Sequence, residues 1–94
     1  MLNRRPKRRY LLVGHAGQPS DIIASAISRR FEELFGSIAA ERAAIRLVKS
    51  AGNTTVIKCR LNQLDRVLVA ITMTDPAVVT LDLSGSIRRL ERRH

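Results

Sequence analysis

The sequence predicts an α+β domain in which a four-stranded antiparallel sheet carries two helices on one face. Three observations lead to this fold class. Four short segments rich in aliphatic and β-branched residues are typical of strands, two longer segments have apolar residues at helical spacing, and the order is strand, helix, strand, strand, helix, strand. With 94 residues, 45% of them hydrophobic, the chain is long enough for one domain with its own core.

The first strand and the first helix are the most clearly marked elements. Residues 10–13 form an apolar block that ends in the loop 14–19, which contains two glycines and a proline. Ser20 is a suitable N-cap, and Asp21 places a negative charge in the first helical turn. Gly36 is the expected left-handed stop of this helix. Between these ends, apolar residues recur at helical spacing: Ile23, Ile27, Phe31, Leu34 and Phe35.

The middle of the chain predicts a hairpin. Residues 37–44 are rich in alanine and fit either a short extra turn or a plain connection. Residues 45–49 and 54–61 are the second and third strands, joined by turn residues 50–53. In the third strand, alternation places Ile57, Cys59 and Leu61 on one face and Lys58 and Arg60 on the other.

A second helix is predicted from about residue 62 or 63 to residue 73, and the Asp75-Pro76 pair ends it. Residues 78–83 form the fourth strand, and residues 86–93 fit one or two basic helical turns. This order of elements is that of a ferredoxin-like, RRM-like βαββαβ sandwich. In the fourth strand, alternation predicts that Val79, Leu81 and Leu83 face the core while Thr80 and Asp82 face outward.

The positive charge of the chain is concentrated at its two ends. Residues 1–9 hold five basic residues and no acid, and residues 86–94 hold four arginines and one glutamate. The residues between them hold eight bases and seven acids. Charge of one sign at this density indicates a polyanion as partner, and the planar fork of arginine, the main residue type here, suits phosphate oxygens.

The predicted topology brings the two basic segments together. The first and fourth strands of a ferredoxin-like sheet are antiparallel neighbours, so the start of one lies beside the end of the other. We therefore expect a single domain over residues 1–94 whose basic segments 1–9 and 86–94 form one RNA-binding surface. The predicted RNA-binding residues are Arg4, Arg5, Lys7, Arg8, Arg9, Arg46, Lys58, Arg60, Arg88, Arg89, Arg92 and Arg93.

Base stacking is not the expected mode of recognition. Ferredoxin-like RNA binders commonly stack bases on aromatic residues of the central strands. This chain has Lys58 and Arg60 in that region, and we interpret Tyr10 as a half-buried strand residue. We therefore expect recognition of the shape and phosphates of a folded RNA.

The sequence offers no catalytic or metal-binding constellation. The acids are scattered apart from Glu32 and Glu33, which point to different sides of a helix. His15 and His94 have no partner at metal-ligand spacing, and Cys59 is expected to be a small core residue. We predict no catalytic residue, no metal site and no cofactor bound by the protein.

Composition and apolar segments also indicate the cellular compartment of the protein. No segment approaches the roughly 18 apolar residues of a membrane span. The apolar block after the basic N-terminus is too short for a secretory signal, and a single cysteine fits a reducing compartment. These features predict a cytoplasmic protein without membrane contact.

Four stretches of the chain together carry a family resemblance. They are the basic lead into residues 9–13 (RYLLV), the Phe35-Gly36 end of the first helix, residues 56–60 (VIKCR) and residues 84–88 (SGSIR). In this order and spacing they resemble the Pop5/Rpp14-type family, protein component 2 of archaeal ribonuclease P.

The resemblance implies a non-catalytic subunit of an endoribonuclease that removes the 5′ leader of precursor tRNA. In that family the RNA is catalytic with magnesium, and the protein works with component 3 in a two-plus-two assembly. The implied RNA-facing residues are Arg8, Arg9 and Arg88, and we expect the first helix and residues 36–44 to contact the partner protein.

The chain departs from the family pattern at three places. Residues 37–40 lack the glycines that are common there, Ser50 stands where an aromatic residue is frequent, and the helical tail to His94 is short. Two alternatives stay open: another structural RNA-binding protein, for example of the ribosome, and a regulatory ligand-binding domain of the same topology.

Overall fold

A computed structural model describes residues 7–94. The elements are β1 (Arg8–His15), α1 (Ser20–Phe35), α2 (Ser37–Ala43), β2 (Arg46–Ala51), β3 (Thr54–Arg60), α3 (Leu64–Thr72), β4 (Val78–Ser84) and α4 (Ile87–Arg93). A short 3-10 turn, Leu61–Gln63, precedes α3. The four strands form one antiparallel sheet in the order β2-β3-β1-β4, which confirms the predicted fold class and topology.

The main core lies between one face of the sheet, here termed the helical face, and the helices α1, α2 and α3. Its centre is Phe31, which is fully buried on α1. The Ala-rich segment that fits either a turn or a connection is the helix α2, and its Ala43 is buried in this core. The other core residues are Leu11, Val13, Ile23, Ile27, Ile45, Ile57, Cys59, Val67, Ala70, Ile71 and Val78.

A second, smaller cluster lies on the opposite side of the sheet, here termed the α4 face. Leu90 of α4 is 1% exposed and packs with Leu12 of β1 and Val56 of β3. Tyr10 and Ile87 pack beside them and are partly buried, so the interpretation of Tyr10 as a half-buried strand residue is confirmed. The basic C-terminal turn predicted from sequence is thus a helix with an apolar anchor on the sheet.

A β-bulge in β4 reverses the predicted alternation in the part of that strand that precedes the bulge. Leu12 pairs with Asp82 whereas the next residue, Val13, pairs with Thr80, so Leu81 is the extra residue. Asp82 faces away from the main core, as predicted, but Thr80 shares the helical face with Val13. The outward orientation predicted for Thr80 is therefore wrong.

The exposure of the apolar residues of β4 follows from this bulge. Val79 and Leu81 are 57% and 51% exposed, so the prediction that they face the core is wrong. Both lie over Gly14 of β1, where an added Cβ would stand 3.0 Å from Leu81 Cδ1. Leu83 pairs with Leu11 on the helical face, but it is 39% exposed because β4 is an edge strand.

The start of α1 differs from the prediction at Ser20. Pro19 occupies the N-cap position without a side-chain cap, and Ser20 is the first helical residue. The Ser20 hydroxyl lies 2.6 Å from Thr55 Oγ1, which is also 2.7 Å from Nε2 of the buried His15. Ser20 therefore ties α1 to the sheet instead of capping it. Gly36 ends α1 at the predicted position, and its φ of +91° favours glycine. With a ψ of 166° it does not adopt the left-handed helical conformation that was predicted.

Within residues 7–94, none of the helices has both the length and the apolar character needed to cross a membrane.

Candidate nucleic-acid interface

The start of β1 and the end of β4 lie side by side, as the topology predicts. Tyr10 pairs with Ser84, and the Arg9 guanidinium approaches Gly85, where an added Cβ would stand 3.2 Å from Nη1. The basic residues at the start of β1 therefore adjoin the segment that leads into α4. Arg4 and Arg5, predicted to join this surface, lie outside the described residues.

Four cationic side chains meet on the α4 face at this end of the sheet, and we call them the cationic row: Arg8, Arg60, Lys58 and Arg46. Arg8 of β1 pairs directly with Arg60 of β3, and Lys58 of β3 pairs with Arg46 of β2 on the other side. The four residues line a shallow depression of about 210 Å³. The structure thus brings together residues that the sequence placed on three separate strands.

The cationic row has no acidic partners within the part of the chain that the structure describes. The ion pairs found in residues 7–94 involve other residues: Arg30 with Glu33, Lys49 with Glu91, and Arg93 and His94 with Asp82. Like charges directly opposite each other on neighbouring strands destabilise a sheet. An arrangement that opposes folding in this way favours a polyanionic ligand, which would remove the repulsion.

Lys49 is a cation of this face that the sequence analysis missed. A bulge in β2 leaves Val48 without a partner, because Leu47 pairs with Ile57 and Lys49 pairs with Val56. Strict alternation would put Lys49 and Arg46 on opposite faces. The bulge puts them on the same face, and no sequence pattern predicts a bulge at this position.

The helix α4 divides the C-terminal arginines into two groups. Since Leu90 points to the sheet, Arg88 and Arg92, two residues away on either side, point to solvent. They are one turn apart and, among the described residues, neither forms an ion pair. Arg88 and Arg92 are thus available to a ligand, as is the exposed Arg89.

Arg93 is committed to a contact inside the protein. Its Nε donates to Asp82 Oδ2 over 2.8 Å and its Nη2 donates to Asp82 Oδ1 over 3.2 Å. His94 Nε2 lies 2.9 Å from the same carboxylate. Hydrogen bonds from Arg93 and then from His94 lower the pKa of Asp82 from 3.8 to about 2. This carboxylate holds the end of α4 on β4, and no sequence pattern predicted the pairing.

The remaining chemistry-bearing side chains have structural roles. Burial raises the pKa of Cys59 to about 11, although the charge of Arg9 opposes the shift, so the thiol is unreactive at neutral pH. The predicted position of Cys59 in the core is confirmed. Within residues 7–94, no three His, Cys, Asp or Glu side chains are grouped so that they would hold a metal ion.

The fold and the surface define a ferredoxin-like α+β domain with an unpaired cationic row at one end of its sheet. The chain belongs to the Rpp14/Pop5 family, because the model of that family matches residues 9–94. This confirms the resemblance noted from the sequence, and with it the role of a protein subunit of the ribonuclease P/MRP class of ribonucleoproteins.

A solved structure with a similar fold is a chain in the cryo-EM structure of yeast ribonuclease MRP. The superposition has a TM-score of 0.66 and covers 90% of this chain and 79% of that chain, with 13% sequence identity. At that identity the likeness supports the fold alone. No curated protein sequence matches the chain.

Proposed function

We propose that this chain binds the catalytic RNA of ribonuclease P and stabilises its active fold while the RNA removes the 5′ leader of precursor tRNA. The protein contributes no catalytic group; magnesium acts on the RNA. The observation that carries the proposal is the cationic row, in which Arg8 faces Arg60 and Lys58 faces Arg46 without acids between them.

The proposed mechanism is electrostatic. RNA strands that crowd together around a catalytic centre repel each other through their phosphates. A cationic row of fixed geometry, together with Arg88 and Arg92 on α4, neutralises phosphates at defined positions and lowers that repulsion. Counterion release then supplies much of the binding free energy, so the affinity depends steeply on salt.

The family membership supports further partners. We propose that component 3 of ribonuclease P binds this chain and that two copies of each protein form a two-plus-two assembly. The complex then acts on precursor tRNA in the cytoplasm of an archaeal cell. The junction of α1 and α2 supports a protein contact there, because Leu34 and Ile38 are 37% and 69% exposed. The two residues lie four positions apart on either side of Gly36, and exposed apolar patches are typical of protein interfaces.

Reconstitution tests the proposal. Ribonuclease P RNA is combined with component 3 and this chain, and precursor-tRNA cleavage is measured at low magnesium. We expect the wild-type chain to stimulate cleavage, and the double variant Lys58→Gln/Arg60→Gln to lose most of the stimulation. The matched control Arg29→Gln/Arg42→Gln removes the same charge from α1 and α2, where component 3 is proposed to bind, so the two double variants are also compared for binding of the RNA to this chain alone. The control should bind the RNA as the wild type does, whereas Lys58→Gln/Arg60→Gln should bind it more weakly.

Three outcomes would overturn the proposal. Equal binding of the RNA by both double variants, each without component 3, would show that the cationic row is not the interface. No stimulation, combined with tight binding to ribosomal RNA, would assign the chain to another structural RNA-binding role. Failure to bind any RNA, with thermal stabilisation by a small metabolite, would favour a regulatory ligand-binding domain.

A further inference from the structure

A cavity of about 320 Å³ lies on the α4 face, between α4 and the β2–β3 hairpin. Its floor is the small apolar cluster of Leu12, Val56 and Leu90. Its walls carry polar and charged groups. On the hairpin side these are Lys49, Ser50 and Thr54, with Ala51 between them, and on the α4 side they are Glu91 and His94.

We infer that this cavity receives the base of one unstacked nucleotide of the bound RNA. The inference rests on the proposed function, because it assumes that RNA occupies the cationic row. It adds a second kind of contact to that function, since the cationic row recognises phosphates and the cavity recognises a base.

The size and lining of the cavity fit one base. Its volume is at the lower end of the range of about 300–1,000 Å³ found for ligand cavities, which excludes a stacked run of nucleotides. The aliphatic floor offers apolar contacts to the face of the base, while the walls offer donors and acceptors to its edge. Proteins read RNA mainly at loops and bulges, where bases leave the stack.

The cavity is continuous with the cationic row. Lys49 on the cavity wall pairs with Val56 on the floor, and two residues further along β3, about 7 Å at strand rise, Lys58 pairs with Arg46. A nucleotide chain whose phosphate lies between Lys58 and Arg46 therefore reaches the cavity with its neighbouring nucleotide. Lys49 then stands at the mouth, where the next phosphate would pass.

Glu91 gives the cavity a preference among bases. A carboxylate accepts hydrogen bonds and does not donate them, so it favours the exocyclic amino groups of adenine, cytosine and guanine. Uracil has no amino group, and its one edge donor, N3–H, lies between two carbonyl oxygens that a carboxylate repels. The Lys49–Glu91 pair is 3.6 Å long with both side chains about half exposed, so it is weak enough for Lys49 to turn to a phosphate and Glu91 to the base.

Ala51 offers a variant that closes the cavity without unfolding the strand. It pairs with Thr54 at the end of β2, where a phenylalanine suits a strand and its ring would fill the space now lined by Ala51. The matched control is Ser25→Phe, which adds the same ring at an exposed position of α1. A blunt RNA duplex, which has no free base, measures the cationic row alone.

The experiment compares the affinity of the full chain for this duplex and for single-stranded oligocytidine and oligouridine of equal length. For the wild type we expect oligocytidine to bind roughly threefold to tenfold more tightly than oligouridine, the effect of about one hydrogen bond. Ala51→Phe should weaken oligocytidine binding to the oligouridine level and leave duplex binding unchanged. Glu91→Gln should reduce the preference in the same way, and Ser25→Phe should change nothing.

The outcomes separate this inference from the function on which it rests. Duplex binding that is normal, with oligocytidine affinity unaffected by Ala51→Phe, would refute the base cavity and leave the cationic row intact. Equal wild-type affinity for the two oligonucleotides would refute the role of Glu91 and with it the base preference. Loss of duplex binding in Lys58→Gln, with the oligocytidine preference retained, would support the cavity as a distinct site.

Discussion

Asp82 on β4 and Arg93 on α4 form a two-bond contact, with Arg93 Nε 2.8 Å from Oδ2 and Nη2 3.2 Å from Oδ1. Arg93 Nη2 also donates to the carbonyl oxygen of Leu83 over 3.1 Å. The contact joins the last turn of α4 to the edge of the sheet. Together with the buried Leu90, it keeps α4 on the face where the cationic row lies, so Arg88 and Arg92 have fixed positions.

The first prediction concerns the pH dependence of the Asp82 contact. Since hydrogen bonds lower the folded-state pKa of Asp82 from 3.8 to about 2, the contact stabilises α4 fully above pH 3.8 and is lost as the pH falls towards 2. The protection of the Leu90 amide, that is, its exchange rate measured by NMR relative to the intrinsic rate at each pH, should therefore fall on acidification across this window. In Asp82→Asn the protection should be low throughout, whereas Asp75→Asn in the exposed loop before β4 should behave as the wild type does.

The second prediction concerns Lys58 at the centre of the cationic row. Lys58→Gln should raise the free energy of unfolding by up to about 0.5 kcal/mol, because it removes like-charge repulsion from Arg46. The same change should lower RNA affinity and reduce the salt slope of binding by about one. Urea unfolding and RNA binding between 50 and 200 mM salt, where six phosphate contacts would cost the wild type about three orders of magnitude, measure both effects.

Arg29→Gln is the control for Lys58→Gln, because Arg29 is an exposed cation on α1, away from the cationic row. It should leave the salt slope unchanged. A variant of Lys58 that destabilised the fold and left the salt slope as it was would contradict a ligand-binding role for this residue.

The third prediction concerns the anchor of α4. Leu90→Ala should lower the free energy of unfolding by about 2 kcal/mol, near the low end for a buried leucine. The reason is that Leu90 contacts only a small cluster, and α4 can leave the sheet without opening the main core. Chemical denaturation measures the loss. Leu81→Ala, at a leucine that is 51% exposed, should change the stability by less than about 0.5 kcal/mol.

The fourth prediction uses Cys59 as a reporter of unfolding. The thiol is 1% exposed and its pKa is raised to about 11 by burial, so alkylation of the native protein by iodoacetamide at pH 8 should be far slower than that of the urea-unfolded chain. Mass spectrometry follows the labelling. Fast labelling of Cys59 without loss of the circular dichroism signal would mean that the end of β3 opens locally.

The sequence by itself determined the strands, the helices α1 and α3 and their order, while it left the helix α2 open. The helical spacing of Ile23, Ile27 and Phe31 and the alternation of Ile57 with Lys58 place these residues as the structure does. Such patterns succeed because burial repeats with the period of the element. The concentration of positive charge at the two chain ends was also evident from the sequence. The β1–β4 pairing brings together those basic residues of the two ends that the structure describes.

Only the tertiary structure decided which side chains share the α4 face. The bulges at Val48 and Leu81 each shift a strand by one residue, so they move Lys49 and Leu81 to a face that alternation does not assign to them. The contact between Asp82 and Arg93 likewise depends on α4 folding back over the sheet. The position of a bulge depends on how neighbouring strands pair, and the docking of a helix depends on the side chains of the sheet beneath it. Neither produces a periodic spacing of apolar residues in the sequence, so neither could be predicted from it.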